Sequence, residues 1–193
     1  MNFKLYVNEL SDVLLSLQLT GKNQEIINVD KGLSNLTSMC FDLRRRKGTL
    51  FFIGNGASAM MASHFATDFC KNGGVKSIVF NDSSLLTAIG NDMTFEQCFA
   101  LPLQRYGQRG DTLVTISSSG NSPNILSAIE YAQKSGIYCV TFSGMKENNR
   151  SRQMGDLNFY IPGMTYGMAE SAHHVLLHCW FDLYMEEGEK NGF

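Results

Sequence analysis

Two stretches of the chain carry acids and histidines at four-residue spacing. His64 and Asp68 stand at i and i+4; Glu170, His174 and His178 repeat that interval twice, with His173 beside them. On a helix, residues four apart share a face. Each stripe alone is ordinary. A His–Asp pair is commonly a surface hydrogen bond, and the apolar run around His178, LLHCWF, is equally a place for a core histidine. Brought together, such imidazoles and carboxylates make a divalent-metal site with a position open to substrate, or an acid–base pair for moving a proton.

Two turns carry a different chemistry. Gly54-Asn55-Gly56-Ala57-Ser58 follows the apolar run TLFFI, and its glycines permit close backbone approach. It is neither a GxGxxG fingerprint nor a lysine-bearing phosphate loop, and Ser58 is expected to cap the next helix. Ser117-Ser118-Ser119-Gly120-Asn121-Ser122-Pro123 follows TLVTI, with Pro123 suited to the first helical position and Ser122 to the cap. Hydroxyls converging on a helix N-terminus bind phosphate without a lysine.

The elements that position these residues follow from periodicity. Residues 2–46 read as two helices interrupted at Gly21, with apolar stripes Phe3, Val7, Leu10, Leu14, Leu17 and Ile26, Val29, Leu33, Leu36, Cys40, Leu43 at heptad-like intervals. Such a hairpin packs on its own domain or on copies of itself. Arg44–Lys47 suit the negative end of the second helix. Beyond Gly48, strand candidates at 49–53, 76–80, 112–116, 137–142 and 157–161 alternate with helices near 58–71, 84–89, 95–106, 123–134 and 168–187. That alternation predicts an α/β fold with a five-stranded parallel sheet covered on both faces.

Composition narrows the classes further. The 193 residues carry a formal charge of −2 and only 18% charged side chains, which gives no basic field for nucleic acid and hints at surface covered by other subunits. Five scattered cysteines without a CxxC support neither a disulfide framework nor a cysteine zinc site. No leader peptide and no membrane-length apolar run is visible, so a cytoplasmic protein without membrane contact is expected.

DTLVTISSSGNS, together with GNGASA, SHFATDF, IGNDMTF and the acid–histidine helix, resembles the SIS (sugar isomerase) domain family, on its phosphoheptose isomerase side. The resemblance spans nearly the whole chain as one domain, 1–193, with 1–47 as an oligomerising helical hairpin. It implies a flavodoxin-like sheet and a homotetramer with active sites at subunit interfaces. It further implies conversion of sedoheptulose 7-phosphate to D-glycero-D-manno-heptose 7-phosphate through an enediol, with no nucleotide or redox cofactor. By position it assigns His64, Asp68, Glu170 and His178 to a divalent metal, zinc in the family. It gives acid–base roles to Asp68 and His178. Asn55, Gly56, Ala57, Ser58, Asn91, Asp92, Ser117, Ser118, Ser119 and Ser122 fall at substrate-binding positions.

The chain departs from the family at three residues and in a segment between Pro162 and Glu170 that is one residue shorter. Asp68 stands where the family has Glu, Glu170 where it has Gln, and Gly167 where it has a sugar-contacting Asp. Asp68 reaches one methylene less; Glu170 adds a negative charge that favours a cation and supplies a base. Isomerisation of a pentose or hexose phosphate therefore stays open, as does a non-catalytic phosphosugar-binding or assembly role.

Overall fold

The computed structural model describes residues 2–190 and 192, so the ends of the expected domain span, residues 1 and 193, lie outside the described residues. The chain runs α1 (Phe3–Leu15), β1 (Gln18–Gly21), β2 (Ile26–Ile27), α2 (Val29–Arg46), β3 (Thr49–Gly54), α3 (Ala57–Lys71), β4 (Lys76–Val79), α4 (Ser83–Asp92), α5 (Ala100–Tyr106), β5 (Thr112–Ser117), α6 (Pro123–Ser135), β6 (Tyr138–Gly144), β7 (Leu157–Ile161) and α7 (Tyr166–Lys190). Among the described residues one sheet forms, in the order β2-β1-β7-β6-β5-β3-β4. From β7 to β4 every pairing is parallel. This is the expected five-stranded parallel sheet, in flavodoxin-like order.

Alternation along the strands builds two cores. Leu50 and Phe52 of β3, Val114 and Ile116 of β5, and Val140 and Phe142 of β6 pack under α2, α3 and α7. Phe51, Ile53, Leu113 and Cys139 point the other way, under α4, α5 and α6. A period of two with both faces apolar is what burial on both sides of a parallel sheet demands. Phe69 of α3 lies against Trp180 of α7, ring centroids 4.7 Å apart, and Phe52 stacks beneath it at 5.9 Å. α3 and α7, which carry the two acid–histidine stripes, are thus clamped together by aromatic contact.

The N-terminal helices form, but a β-ribbon separates them. Gly21 N–H donates to the Glu25 carbonyl, and Gln24 adopts a left-handed φ of 63° to close the turn. β1 then pairs antiparallel with β7, with Leu19 opposite Phe159. The pairing covers a sheet edge that would otherwise be open. Ile26, expected on the second helical stripe, sits instead on β2 and is 90% exposed. α2 starts later, capped by the Asn28 side chain, and buries Leu33, Leu36, Cys40 and Leu43 as expected. α1 leans on the core through Leu10, Val13 and Leu14, while Phe3 and Leu15 lie open to solvent. The five cysteines are free. No helix among the described residues is long and apolar enough to cross a membrane.

Candidate functional site

The strand order reverses between β3 and β5: the chain leaves β3 for the edge strand β4, then returns to the other side of β3 as β5. The helices after these strands, α3 and α6, pack on opposite faces of the sheet. A crevice must open between them, beyond the strands' carboxyl ends, where ligands of such sheets bind. Here it is a cavity of about 300 Å³. Its walls are Asn55, Gly56, Ala57 and Ser58 from the first turn, Ser117, Ser118, Ser119 and Ser122 from the second, and Tyr166 and Glu170 from α7.

The local sequence explains the shape. Gly56 takes φ 56° with ψ −123°, a conformation that side chains avoid, and the chain enters α3 directly after it. α3 therefore begins at Ala57 with no side-chain cap, and Ser58 is a buried first-turn residue instead of the expected cap. Ser122 does occupy the cap position before Pro123, but its hydroxyl makes no capping bond and stays available to a ligand. Ser118 Oγ is buried on the cavity wall with no partner among the described residues. Ser117 Oγ accepts from the Gly120 N–H at 3.2 Å, which leaves its own proton free to donate. These are unspent donors around one anion-sized space.

One residue important here carries no motif in the sequence. Asn124, in the first turn of α6, is 2% exposed. Its amide and that of Asn55 donate to each other, both bonds 2.9 Å, and Asn124 Nδ2 also reaches Cys98 Sγ at 3.3 Å. This reciprocal pair pins the first turn to the helix that follows the second. No spacing or pattern in the sequence pointed to it. Asn124→Leu leaves the Asn55 amide unpaired, so a stability loss of about 1–3 kcal/mol is expected in denaturant unfolding, with a raised KM.

The acid–histidine set divides between this cavity and its neighbourhood. Glu170 lines the cavity with the serines. His64, His174 and His178 form a separate cluster, one ring nitrogen of each lying within 4.8 Å of the others, and His174 and His178 face a groove of α7 with Ser171, Cys179 and Asp182. Ring centroids are 5.3 Å apart for His64–His178 and 4.8 Å for His174–His178. Asp68 Oδ2 stands 3.2 Å from His64 Nε2. His174 is pushed below the ordinary imidazole value, first by partial burial, then by His178 and His64. His173 faces inward: it is fully buried, Nε2 donates to the Ser143 carbonyl at 3.1 Å, and burial lowers it to about 4. It is a core histidine.

The imidazole cluster suits a divalent ion. Nitrogen ligands of tetrahedral zinc lie at about 2.0 Å from the metal, hence about 3.4 Å from each other. The nitrogens here lie within 4.8 Å of one another, and imidazole is a preferred ligand of zinc-like cations. Asn91 and Asp92, by contrast, are exposed at the end of α4, joined by a 2.7 Å bond from Asn91 Nδ2 to Asp92 Oδ1, and do not line this chain's cavity.

Comparison with known proteins establishes the family. Residues 6–144 match the SIS domain family. A phosphoheptose isomerase of Burkholderia pseudomallei (strain 1710b) is 34% identical over 152 residues, 76% of this chain and 77% of that protein. One from Fusobacterium nucleatum subsp. nucleatum is 36% identical over 130 residues, 65% of this chain and 66% of that protein. The solved phosphoheptose isomerase of Neisseria gonorrhoeae superposes with a TM-score of 0.80 at 25% identity, covering 94% of this chain and 96% of that one. On these matches the chain belongs to the SIS domain family and is an isomerase of the phosphoheptose isomerase group.

Proposed function

We propose that the protein interconverts a ketose phosphate and its aldose phosphate, with sedoheptulose 7-phosphate as the leading substrate. The observation that carries this is the shared cavity: unspent serine hydroxyls and a carboxylate, Glu170, face one space. The serine turn holds the phosphate at the start of α6. Asn55, fixed by Asn124, meets sugar hydroxyls. Glu170 takes the proton from C1 of the ketose and returns it to C2, the C1–H electron pair becoming the enediol double bond. His178 shifts the accompanying proton between O1 and O2. Asp68 stands beside His64, outside the cavity wall, and supports the imidazole side of the site. A divalent cation, zinc by donor type, held by His64 and His178, would draw off the negative charge that develops on O1 and O2.

The reading also takes the chain as one SIS domain that works as a cytoplasmic homotetramer. The helices within 1–47 contribute to its contacts, and Asn91 and Asp92 reach the cavity of a neighbouring subunit. The open apolar positions Phe3, Val7 and Leu15 on α1 support a covered surface there.

A second reading, isomerisation of a pentose or hexose phosphate, is favoured by Gly167. This residue offers no side chain where the family has an acid for the sugar, and a β-carbon here would stand 3.5 Å from the Tyr6 hydroxyl. An assay on a panel of phosphosugars, run with and without chelator, tests both. Turnover of sedoheptulose 7-phosphate that falls on metal removal is the expected result. Turnover confined to shorter sugars selects the second reading, and silence across the panel leaves a phosphosugar-binding role.

A further inference from the structure

Three residues of α7 carry possible ligand atoms at four-residue spacing: Glu170, His174 and His178. Helix geometry separates them. Successive i+4 positions rise about 6 Å and turn about 40° around the axis, so Glu170 and His178 are about 12 Å apart along α7, with His174 midway. His174 and His178 form the i, i+4 histidine pair that holds one metal on one helical face. Their rings are 4.8 Å apart by centroid. His64, from α3, meets both, at 5.8 Å and 5.3 Å. Phe65 packs edge-on against His174 and His178 at 5.8 Å and 4.9 Å, and so fixes the side of the cluster next to α3. Asp68 approaches the His64 ring at 3.2 Å, the carboxylate–imidazole pairing that orients metal-binding histidines. Glu170 is absent from the cluster and lies on the serine cavity wall.

From this arrangement we infer that His174 is a metal ligand, completing a three-imidazole site with His64 and His178, and that Glu170 is thereby released from the metal to act on substrate. Asp68 positions His64. The inference deepens the isomerase reading and rests on it for the chemistry served, but not for the binding of the ion.

The test is Co²⁺ titration of the chelator-stripped full chain, followed by calorimetry and by the visible absorption of the bound ion. Wild type is expected to take up one ion per chain with the intense band of a four-coordinate nitrogen site. H174Q and H174N should each weaken uptake by about 100-fold or more and lose that band, with thermal unfolding of the stripped proteins unchanged. D68N should weaken it by about 10–100-fold. E170Q should keep both affinity and spectrum. If E170Q loses the ion while both His174 variants keep it, Glu170 is the ligand and the inference is overturned. Absence of any uptake by wild type overturns it too. Uptake lost in the His174 variants, in a protein that isomerises no phosphosugar, would uphold this site and remove the isomerase reading alone.

Discussion

Glu170→Gln is expected to lower kcat by about 10²–10⁴-fold while KM moves little. The size follows from what the carboxylate does. A general base contributes through proton transfer in the transition state alone, so its removal acts on the chemical step and spares ground-state binding. Gln keeps the length and shape of Glu and can still form hydrogen bonds across the cavity. The phosphate is proposed to sit elsewhere, at the hydroxyls of Ser117, Ser118, Ser119 and Ser122 on the cavity wall. Steady-state kinetics on the substrate found in the panel, with metal content measured on the same preparation, checks this. A kcat within about threefold of wild type would transfer the base role to Asp68. That outcome is physically harder, because Asp68 is engaged by His64 at 3.2 Å and is not on the cavity wall. A parallel loss of kcat and bound metal would instead place Glu170 on the ion.

The parts of this molecule that could be read in advance are those with a strong period. β3, β5, β6 and β7 are short apolar runs bounded by turn residues, and their boundaries came within two residues of the observed ones. α7 and its stripe were visible for the same reason. The ribbon β1–β2 was not, since four and two residues carry no measurable alternation and Leu17 and Ile26 mimic the helical stripes on either side. Only pairing with β7, a partner almost 140 positions away, makes Gln18–Gly21 a strand. Ser58 shows how one backbone torsion shifts a boundary: Gly56 turns the chain into α3 early, and a residue that reads as a cap becomes buried in the first turn. At the site, residue types that announce chemistry were legible, whereas their grouping was not. His174 lay on the stripe, but which three donors converge depends on how α3 crosses α7. Asn124 was silent, because a buried amide acting through another residue has no spacing to betray it.

The serine turn depends on a contact that the sequence also hides. Gly120→Ala should destabilise the protein by about 2–5 kcal/mol and raise KM more than it lowers kcat. Gly120 holds φ at +62°, so any side chain is strained there. A β-carbon at this position would also fall 2.0 Å from Asn149 Oδ1, and Asn149 cannot easily retreat. It is fully buried; its Nδ2 donates to the Lys146 carbonyl at 2.8 Å and to Ser143 Oγ at 3.2 Å, while its Oδ1 accepts from the Arg152 N–H at 2.9 Å. Displacing it uncouples the 144–152 loop from the turn, including the bond from the Ser151 N–H to the Gly120 carbonyl at 2.8 Å. If Gly120 yields instead, the turn moves, and Ser117 loses the Gly120 N–H that its Oγ accepts. Either way the hydroxyls proposed to hold the phosphate lose their common aim, while Glu170 and the imidazoles on α7 keep theirs. Urea unfolding and steady-state kinetics on the same variant separate the two effects. A protein as stable as wild type with unchanged KM would mean that the serine turn is not held by Asn149, and would remove the structural basis for assigning it the phosphate.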